Sequence, residues 1–369
     1  MAIDKVTTAS ITDANITTAK LAYSASPFRN IIINGDMSIA QRSTSVSSIT
    51  GNGYHTIDRF QTVASSLGTW TQSQSTDVPT GQGFATSLKM DCTTADASPS
   101  ASDELRIRQN VEGQNLQYLK KGTSSAESVT ISFWVKSNKT GTYIAELMDN
   151  DNSYRHIGNS YTISSANTWE KKTITFAGDT TGAFDNDNSG SLAISFWLGA
   201  GSTYTSGTLQ TSWGSLAQAN RAVGQVNLAD STSNEWYITG VQLEAGTSAS
   251  DFEFLPVDAN LERCLRYYQQ AGVCSGRAYN TTNGEMYYSF MKKMRAAPSA
   301  SIIDGTTSGG ENGGVVHISG VSSHNITSLN GDKLTTVSCT FQVTCSGGGL
   351  SSGAILGIQG NPFALSAEL

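Results

Sequence analysis

Alternation of apolar and polar residues dominates the chain from Asn30 to about Pro256. In ESVTISFWVKSN every second residue from Val129 to Val135 is apolar, and SLAISFWLGAG repeats the pattern from Leu192 to Leu198. Successive side chains of a strand point to opposite faces, so each segment predicts a strand with one apolar face. NTWEKKTITFAG and NEWYITGVQLEAG predict two more strands. Strands with one apolar face favour two sheets packed against each other.

Turn-forming clusters separate these segments at residues 51–53, 149–152 and 185–190. Many short strands joined by loops, without alternating strands and helices, favour a jelly roll over a doubly wound α/β fold. We therefore predict a mainly β protein with a jelly-roll β-sandwich over residues 30–256.

The first 29 residues have a different rhythm. Apolar residues recur every five positions in VTTASITDANITTAKLA, at Val6, Ile11, Ile16 and Leu21. This spacing fits neither a helix nor a strand, and three such units are too few to bury a core in one chain. We expect several copies to pack these side chains around a common axis, which makes residues 1–29 an oligomeric stem or anchoring segment. A disordered arm is the alternative.

The pattern changes again after the sandwich. VDANLERCLRYYQQAG predicts a linking helix over residues 257–272, with Asp258 as N-cap and Gly272 as its stop. Its apolar stripe would comprise Leu261, Cys264 or Leu265, and Tyr268. Alternation then returns in GEMYYSFMKKM, KLTTVSCTFQV and AILGIQG, which predicts a smaller C-terminal β domain over residues 273–369.

Composition narrows the classes of function. Charged residues are 14% of the chain, the net charge is −7 and the pI is about 5.1, so no broad basic surface for nucleic acid is expected. No apolar run approaches the roughly 18 residues of a membrane span, and the N-terminus lacks a secretory signal pattern. We expect the protein to be made and assembled in a cytoplasm. The five cysteines contain no C-x-x-C pair and are interpreted as reduced thiols.

Two motifs carry candidate chemistry. Asp185, Asp187 and Ser189 match the opening of a calcium loop, but its twelfth position is Phe196 instead of Glu, so a solvated turn is the preferred interpretation. The stretch 349–353 fits G-x-S-x-G in a Ser/Gly-rich context without the strand and helix that a nucleophile elbow needs. The four histidines show no metal-binding or triad spacing. We predict no cofactor and no catalytic site.

Aromatic residues on the outer strand faces are candidates for stacking on sugar rings. The candidates are Trp134, Trp197, Trp213 and Tyr161, with Tyr204 as a further platform. The alternative for each ring is that it fills a second packed face or a subunit interface.

Five motifs occur in a fixed order across nearly the whole chain: NIIINGDMSIAQR (30–42), YHTIDRF (54–60), ITGVQLEAG (238–246), LERCLRYYQ (261–269) and KMRAAPSASI (293–302). Together they resemble tail-fibre and related virion proteins of tailed bacteriophages, and ITDANITTAKLA resembles their stems. Taken alone, the Asn-Gly pair with its carboxylate neighbour could grip a phosphate or a metal. The resemblance instead implies that the sandwich is similar to a carbohydrate-binding module and that residues 30–42 form its entry strand and first turn.

The resemblance implies a homotrimeric virion fibre or spike. Its N-terminal segment would dock on tail or head proteins of the particle, and its β domains would bind host-surface glycan. The resemblance transfers no receptor residues, because the family shares no binding motif. A head fibre or capsid decoration protein is one alternative, favoured by the short chain. A glycan-degrading tailspike enzyme is another, although no pair of carboxylates stands out for glycosidic hydrolysis.

Overall fold

A computed structural model of the protein describes residues 28–271, 274–302, 315–318, 322–331, 334–345, 355–358 and 363–369. The stem residues Val6, Ile11, Ile16 and Leu21, the helix stop Gly272 and the stretch 349–353 lie outside these ranges. The described part of the chain divides into two compact units, one containing residues 28–38 and 44–255, the other containing residues 39–43 and the described residues after 255.

The first unit is a β-sandwich of two six-stranded antiparallel sheets. The strands are β1 (Ser45–Ile49), β2 (Gly53–Tyr54), β3 (Gln61–Ser65), β4 (Thr69–Ser75), β5 (Ser87–Thr94), β6 (Glu104–Glu112), β7 (Val129–Ser137), β8 (Gly141–Asp149), β9 (Arg155–Ile163), β10 (Glu170–Phe176), β11 (Gly190–Ala200) and β12 (Glu235–Ala245). The strand order is β1-β4-β5-β12-β7-β10 in the first sheet and β2-β3-β6-β11-β8-β9 in the second. The short helix α1 (Ser202–Thr205) follows β11.

Alternation along the strands places the core between the sheets. On β7, Ile131, Phe133 and Val135 are fully buried, and the Phe133 ring lies 5.0 Å from that of Phe196 on β11 in the facing sheet. Trp236 on β12 lies 6.4 Å from the same Phe196 ring. The predicted mainly β class and the sandwich are confirmed, because the apolar positions read from the sequence are the ones that meet between the sheets.

The segment Asn30–Arg42 is not the predicted entry strand. It is irregular up to Ser43, and the first strand begins at Ser45. The segment is nevertheless buried: Asn30 donates to Val241 O at 3.1 Å and accepts from Leu243 N at 3.1 Å. A Cβ on Gly35 would lie 2.0 Å from Val241 O. Specific hydrogen bonds to β12 and this close approach take the place of a regular ladder.

The second unit contains a three-stranded sheet and a closed six-stranded barrel. The elements are α2 (Val257–Leu265), β13 (Tyr268–Ala271), β14 (Cys274–Ala278), β15 (Asn283–Ser289), β16 (Ser299–Ile302), β17 (Val315–Ile318), β18 (Ser322–Gly331), β19 (Ser338–Cys345), β20 (Ile355–Ile358) and β21 (Phe363–Ser366). The strand order is β13-β21-β16 in the sheet and β14-β15-β19-β18-β17-β20 in the barrel.

The linking helix is shorter than predicted. It ends at Leu265, and Tyr268–Ala271 form a strand paired with β21, so the prediction of helix to residue 272 is wrong in its second half. The N-cap is Pro256 without a side-chain cap, and Asp258 lies in the first turn instead. Ladder hydrogen bonds to β21 outweigh the helical pattern of the segment.

Residues 39–43 belong to the second unit. The Arg42 guanidinium lies 3.7 Å from the centre of the Tyr268 ring and donates to Glu368 at 3.1 Å. Gln41 donates to Tyr268 O at 3.1 Å, and Gln270 donates to Gln41 O at 2.6 Å. A segment assigned to the sandwich from the sequence therefore completes the C-terminal unit.

Four cysteines of the described ranges are buried: Cys92, Cys264, Cys274 and Cys339. Burial raises the pKa of Cys92 and Cys274 to about 11 and that of Cys339 to about 12. These thiols are therefore protonated near neutral pH. No helix among the described residues is long and apolar enough to cross a membrane.

Candidate functional site

A row of alternating lysine and aromatic side chains crosses the outer face of the first sheet. In the strand register Lys89 of β5 lies opposite Tyr237 of β12, and Tyr237 lies opposite Lys136 of β7. Trp169 directly precedes β10, whose Glu170 pairs with Val135, so the register carries it to the position beside Lys136. Leu88, Val135 and Trp236 next to these positions are buried in the core, so the row faces outward. We call Lys89, Tyr237, Lys136 and Trp169, with Asp77 and Trp134, the aromatic face.

Contacts within the row are close. Lys136 Nζ lies 4.3 Å from the centre of the Tyr237 ring and 5.7 Å from that of Trp169. Lys89 Nζ lies 5.5 Å from the Tyr237 ring on its other side. The Trp169 and Tyr237 rings meet edge to face at 6.1 Å. Each lysine is thus within cation–π range of an aromatic neighbour, which holds the row in one arrangement.

Carboxylates pair with both lysines. Asp77, in the loop after β4, forms an ion pair with Lys136 and accepts from Trp169 Nε1 at 2.9 Å. Glu235 pairs with Lys89 at 2.8 Å and accepts from the Tyr237 hydroxyl at 3.0 Å. The side chain of Asp77 is 44% exposed. It therefore presents acceptor oxygens to solvent beside an indole ring.

The charges of the aromatic face are fixed near neutral pH. Burial raises the pKa of the Asp77 carboxyl, but hydrogen bonds from Lys136 and Trp169 outweigh this and hold it below its ordinary value. Burial also lowers the pKa of Lys89, but the hydrogen bond to Glu235 outweighs that effect and raises it. Burial and the Glu235 carboxylate raise the pKa of Tyr237 to about 12. The face therefore carries anionic Asp77, cationic Lys89 and a neutral phenol.

Accessibility differs along the face. Tyr237 is 5% exposed and Lys136 is 8% exposed, so these two side chains lie beneath the accessible groups of the aromatic face. Trp169 and Trp134 are partly exposed. Trp134 pairs with Lys171 on β10 and with Thr239 on β12. Trp169 lies two residues before Lys171, so it is the diagonal neighbour of Trp134, and diagonal Cα atoms lie roughly 7–8 Å apart. The two indoles are the accessible ring surface.

The predicted stacking residues separate into two groups. Trp134 lies on the aromatic face, and Trp213 is partly exposed and donates from Nε1 to Ala177 O at 2.7 Å. Tyr161 is 5% exposed and stacks on the Tyr143 ring in the core. Trp197 is fully buried. We correct the assignment of Tyr161 and Trp197 as sugar platforms, because protein groups cover their rings.

Trp197 belongs to a buried ionic cluster on the outer face of the second sheet. The guanidinium carbons of Arg106 and Arg221 each lie 5.0 Å from its ring centre. Glu146 accepts from Arg221 at 2.7 and 2.8 Å and from Trp197 Nε1 at 3.2 Å. Ala222 and Tyr204, from the segment between β11 and β12, pack on Trp197. This segment covers the sheet face that the alternation had predicted to be open.

Burial raises the pKa of Glu146, but the adjacent Arg221, His156 and Arg106 reverse this and hold it at about 2. The carboxylate therefore stays charged in the folded protein throughout the range near neutral pH. Its bidentate pairing with Arg221 fixes the covering segment to β8, which is a structural role.

The calcium candidates do not form a cage. Asp187 accepts from the backbone and hydroxyl of Ser189 at 2.8 and 3.1 Å, so its carboxylate stabilises its own turn. The Asp185 backbone donates to Asp151 at 3.0 Å. No group of three His, Cys, Asp or Glu side chains suited to a metal ion occurs within the described ranges.

Sequence reasoning identified Trp134 but missed the row itself. Lys89, Asp77, Trp169 and Tyr237 come from separate segments, and the register of β5, β12, β7 and β10 brings them together. The available signal was alternation: Lys136 and Tyr237 occupy outward positions of strands whose inward residues had been identified.

No family model matches the chain, and no curated protein matches its sequence. Among solved structures, the enzymatically active domain of bacteriophage CBA120 tailspike protein 4 is 16% identical, with 60% of this chain and 22% of that chain covered and a TM-score of 0.32. A putative sugar-binding protein from Bacteroides thetaiotaomicron is 10% identical over 59% of this chain and 100% of its own, with a TM-score of 0.33.

A family 11 carbohydrate-binding module from Clostridium thermocellum, solved with a mixed-linked tetrasaccharide, is 12% identical over 56% of this chain and 98% of its own, with a TM-score of 0.26. This chain thus spans about a fifth of the tailspike domain.

Proposed function

We propose that this protein is a structural component of a tailed-bacteriophage particle, a fibre or spike that binds host-surface glycan through its β domains. The observation that carries the binding proposal is the row Lys89–Tyr237–Lys136–Trp169, with exposed Asp77 beside the Trp169 indole. The particle assignment is supported by the ordered sequence motifs, of which NIIINGDMSIAQR and ITGVQLEAG contact each other through Asn30 and Leu243.

The chemistry of the aromatic face suits a sugar. A pyranose has an apolar C–H face and a rim of hydroxyls. An indole ring removes the apolar face from water, while carboxylates accept from hydroxyls and ammonium groups donate to them. Trp169 provides the ring and Asp77 the acceptor, and Lys89, whose side chain is 23% exposed, provides the donor farther along the row. Trp134 provides a second ring for the next sugar of a chain.

A binding role without catalysis is also part of the proposal. Asp77 and Glu235 are each paired with a lysine, and the pKa of Asp77 lies below its ordinary value. A general acid for glycosidic cleavage needs a raised pKa to hold its proton near pH 7. These two carboxylates are better suited to orienting hydroxyls. Incubation with host polysaccharide should release no reducing ends, and their release would favour the tailspike-enzyme alternative.

Glycan binding is tested with an array of bacterial surface polysaccharides probed with the full chain and with Trp169→Ala. We expect wild-type signal on a subset of glycans and its loss in the variant. Equal signals from both proteins, or no wild-type signal on glycans of the phage's own host, would contradict the proposal.

The particle role includes homotrimerisation, docking by residues 1–29 on a tail or head protein, assembly in the host cytoplasm and location in the virion. Mass photometry of the purified full-length protein should give the mass of three chains. Deletion of residues 1–29 should abolish both the trimer and incorporation into virions. Negative-stain imaging with a tagged chain separates a tail fibre from a head fibre, and incorporation of a monomeric truncation would defeat the docking proposal.

A further inference from the structure

A pocket in the sandwich shares no residue with the aromatic face. Its lining includes the core residues Val129, Leu147 and Leu192, together with Phe184, Trp213 and Glu127. The three core residues are 6%, 1% and 2% exposed. Trp213, in the segment between β11 and β12, is held beside it by its hydrogen bond to Ala177 O. The lining is thus mostly apolar, with two aromatic rings, and its charged residues are Glu127, Lys121 and Asp179.

Protein groups occupy the full hydrogen-bonding capacity of Lys121 and Asp179, two further charged residues of the lining. Lys121 Nζ contacts Asp149 at 2.5 Å, Gly182 O at 2.7 Å, Thr181 O at 2.8 Å and Asp179 at 3.2 Å, which is four acceptors for three protons. Asp179 also accepts two hydrogen bonds from Arg155, at 2.9 and 3.0 Å. Neither group has capacity left for a ligand.

Lys121 also fixes the aromatic part of the lining. Its Nζ lies 5.2 Å from the centre of the Phe184 ring and 5.7 Å from that of Trp213. Both distances are within cation–π range. Because the lysine is itself buried and anchored, the two rings are held in place before any ligand arrives, which lowers the cost of ordering on binding.

Glu127 is the lining carboxylate with spare capacity. Its Oε1 accepts from Lys120 at 2.7 Å, and its Oε2 accepts no hydrogen bond from the described residues. The side chain is 40% exposed. A ligand that fits this pocket therefore combines a small apolar group with a hydrogen-bond donor, because the lining offers apolar surface and one free acceptor.

We infer that this pocket binds the acetamido group of an N-acetylated amino sugar. The methyl group would enter the apolar lining, the amide N–H would donate to Glu127, and the sugar ring would lie against Trp213. The inference rests on the proposed glycan-binding function and adds a second subsite, specific for one substituent. A plain hexose lacks both the methyl group and the amide donor, so it leaves the apolar lining uncovered.

The test titrates full-length protein with the methyl glycosides of N-acetylglucosamine and of glucose, followed by saturation-transfer NMR. We expect at least roughly tenfold tighter binding of the acetylated sugar and the strongest saturation at its acetyl methyl protons. Trp213→Ala should weaken this binding about tenfold or more, and Glu127→Gln about fivefold. Tyr287→Ala removes an exposed ring in the second unit and should change nothing. Trp213→Phe, which keeps a ring, serves if the alanine variant does not fold.

Equal affinity for the two glycosides, or unchanged acetyl saturation in both Trp213 variants and in Glu127→Gln, would overturn the inference. Trp169→Ala separates the two sites. If oligosaccharide binding depends on Trp169 but the two methyl glycosides bind with equal affinity, only the acetamido subsite is ruled out. If binding of the acetamido sugar depends on Trp213 while no glycan loses affinity in Trp169→Ala, the proposed role of the aromatic face is ruled out and the acetamido subsite is supported.

Discussion

Lys136 and Tyr237 lie directly opposite each other on β7 and β12, with the ammonium 4.3 Å from the ring centre. The pair lies at the base of the aromatic face: Tyr237 also has Lys89 on its other side, and Lys136 also contacts Asp77 and Trp169. The accessible groups, Asp77 and Trp169, are therefore positioned by a buried cation–π contact. The proposed binding surface is therefore ordered in the free protein.

Loss of the exposed indole should remove most of the glycan affinity. Trp169→Ala is expected to cost about 2 kcal/mol or more in binding, roughly 30-fold in Kd, because it removes the ring and the donor to Asp77. Calorimetric titration with a glycan identified on the array measures this. Trp169→Phe restores a ring without the N–H and should recover part of the affinity. An affinity within twofold of wild type for Trp169→Ala would contradict the assignment.

Removing the Tyr237 hydroxyl tests how Tyr237 supports the aromatic face. Tyr237→Phe keeps the ring beside both lysines but deletes the 3.0 Å hydrogen bond to Glu235. We expect a loss of about 1 kcal/mol in stability and a reduction of several-fold in glycan affinity, both smaller than for Tyr237→Ala. Thermal melts and the same titration give the two numbers. A larger effect from the phenylalanine variant than from the alanine variant would show that the ring is not the supporting element.

Glycan affinity should be independent of pH over a wide range. The pKa of Asp77 lies below its ordinary value of 3.8, so its anionic form, the acceptor for hydroxyls, is present above that pH and is lost as pH falls through the folded pKa. The pKa of Tyr237 is about 12 and that of Lys89 is raised. Titrations at pH 5 to 9 should give one Kd, with weakening only below about pH 4. Asp77→Asn should bind weakly at every pH, and a midpoint near neutrality would contradict this.

Acid stability should depend on Glu146. Its pKa falls from an ordinary 4.5 to about 2 in the folded protein. A depressed pKa stabilises the fold fully above the unfolded value, and this contribution, about 3 kcal/mol, is lost as pH falls from about 4.5 to 2. Glu146→Gln should lower the free energy of unfolding by about 3–5 kcal/mol at pH 7, because buried Arg221 loses its partner. Its stability should then fall less steeply than that of wild type below pH 4.5, as measured by urea unfolding.

Gly35 and Gly51 make a matched pair for the entry segment. A Cβ on Gly35 would lie 2.0 Å from Val241 O, whereas one on Gly51 meets nothing within 4 Å. Gly35→Ala should destabilise the sandwich by about 3 kcal/mol or more, and Gly51→Ala should leave its stability within about 0.5 kcal/mol. Chemical denaturation compares the two. Equal stability would mean that residues 30–35 do not dock on β12 as described.

Much of the sandwich could be predicted because burial imposes a period of two. Ile131, Phe133 and Val135 alternate with Ser132 and Trp134, and a one-residue error would place the whole set on the wrong face. The irregular entry segment could not be predicted in the same way. Its apolar run reads as a strand, but Asn30 satisfies the β12 backbone from 211 residues away, a contact that no local pattern contains.

The aromatic face was predictable only in part, because its residues come from separate strands. Trp134 is visible as an outward residue on a strand, but the neighbours that give it chemistry lie on other strands. Trp197 has the same local pattern as Trp134 and is nevertheless buried, because a distant segment carrying Arg221 and Tyr204 covers it. Which sheet face stays open is decided by the long connection between β11 and β12, and the strand pattern does not report on that connection.

A crystal structure of the protein soaked with the tightest glycan from the array would show directly whether the aromatic face binds sugar. We predict a pyranose ring lying against Trp169, with its hydroxyls within about 3.2 Å of the Asp77 carboxylate, and the next sugar directed toward Trp134. Glycan bound in the second unit alone, or bound to the sandwich without contact to Trp169 and Asp77, would contradict it.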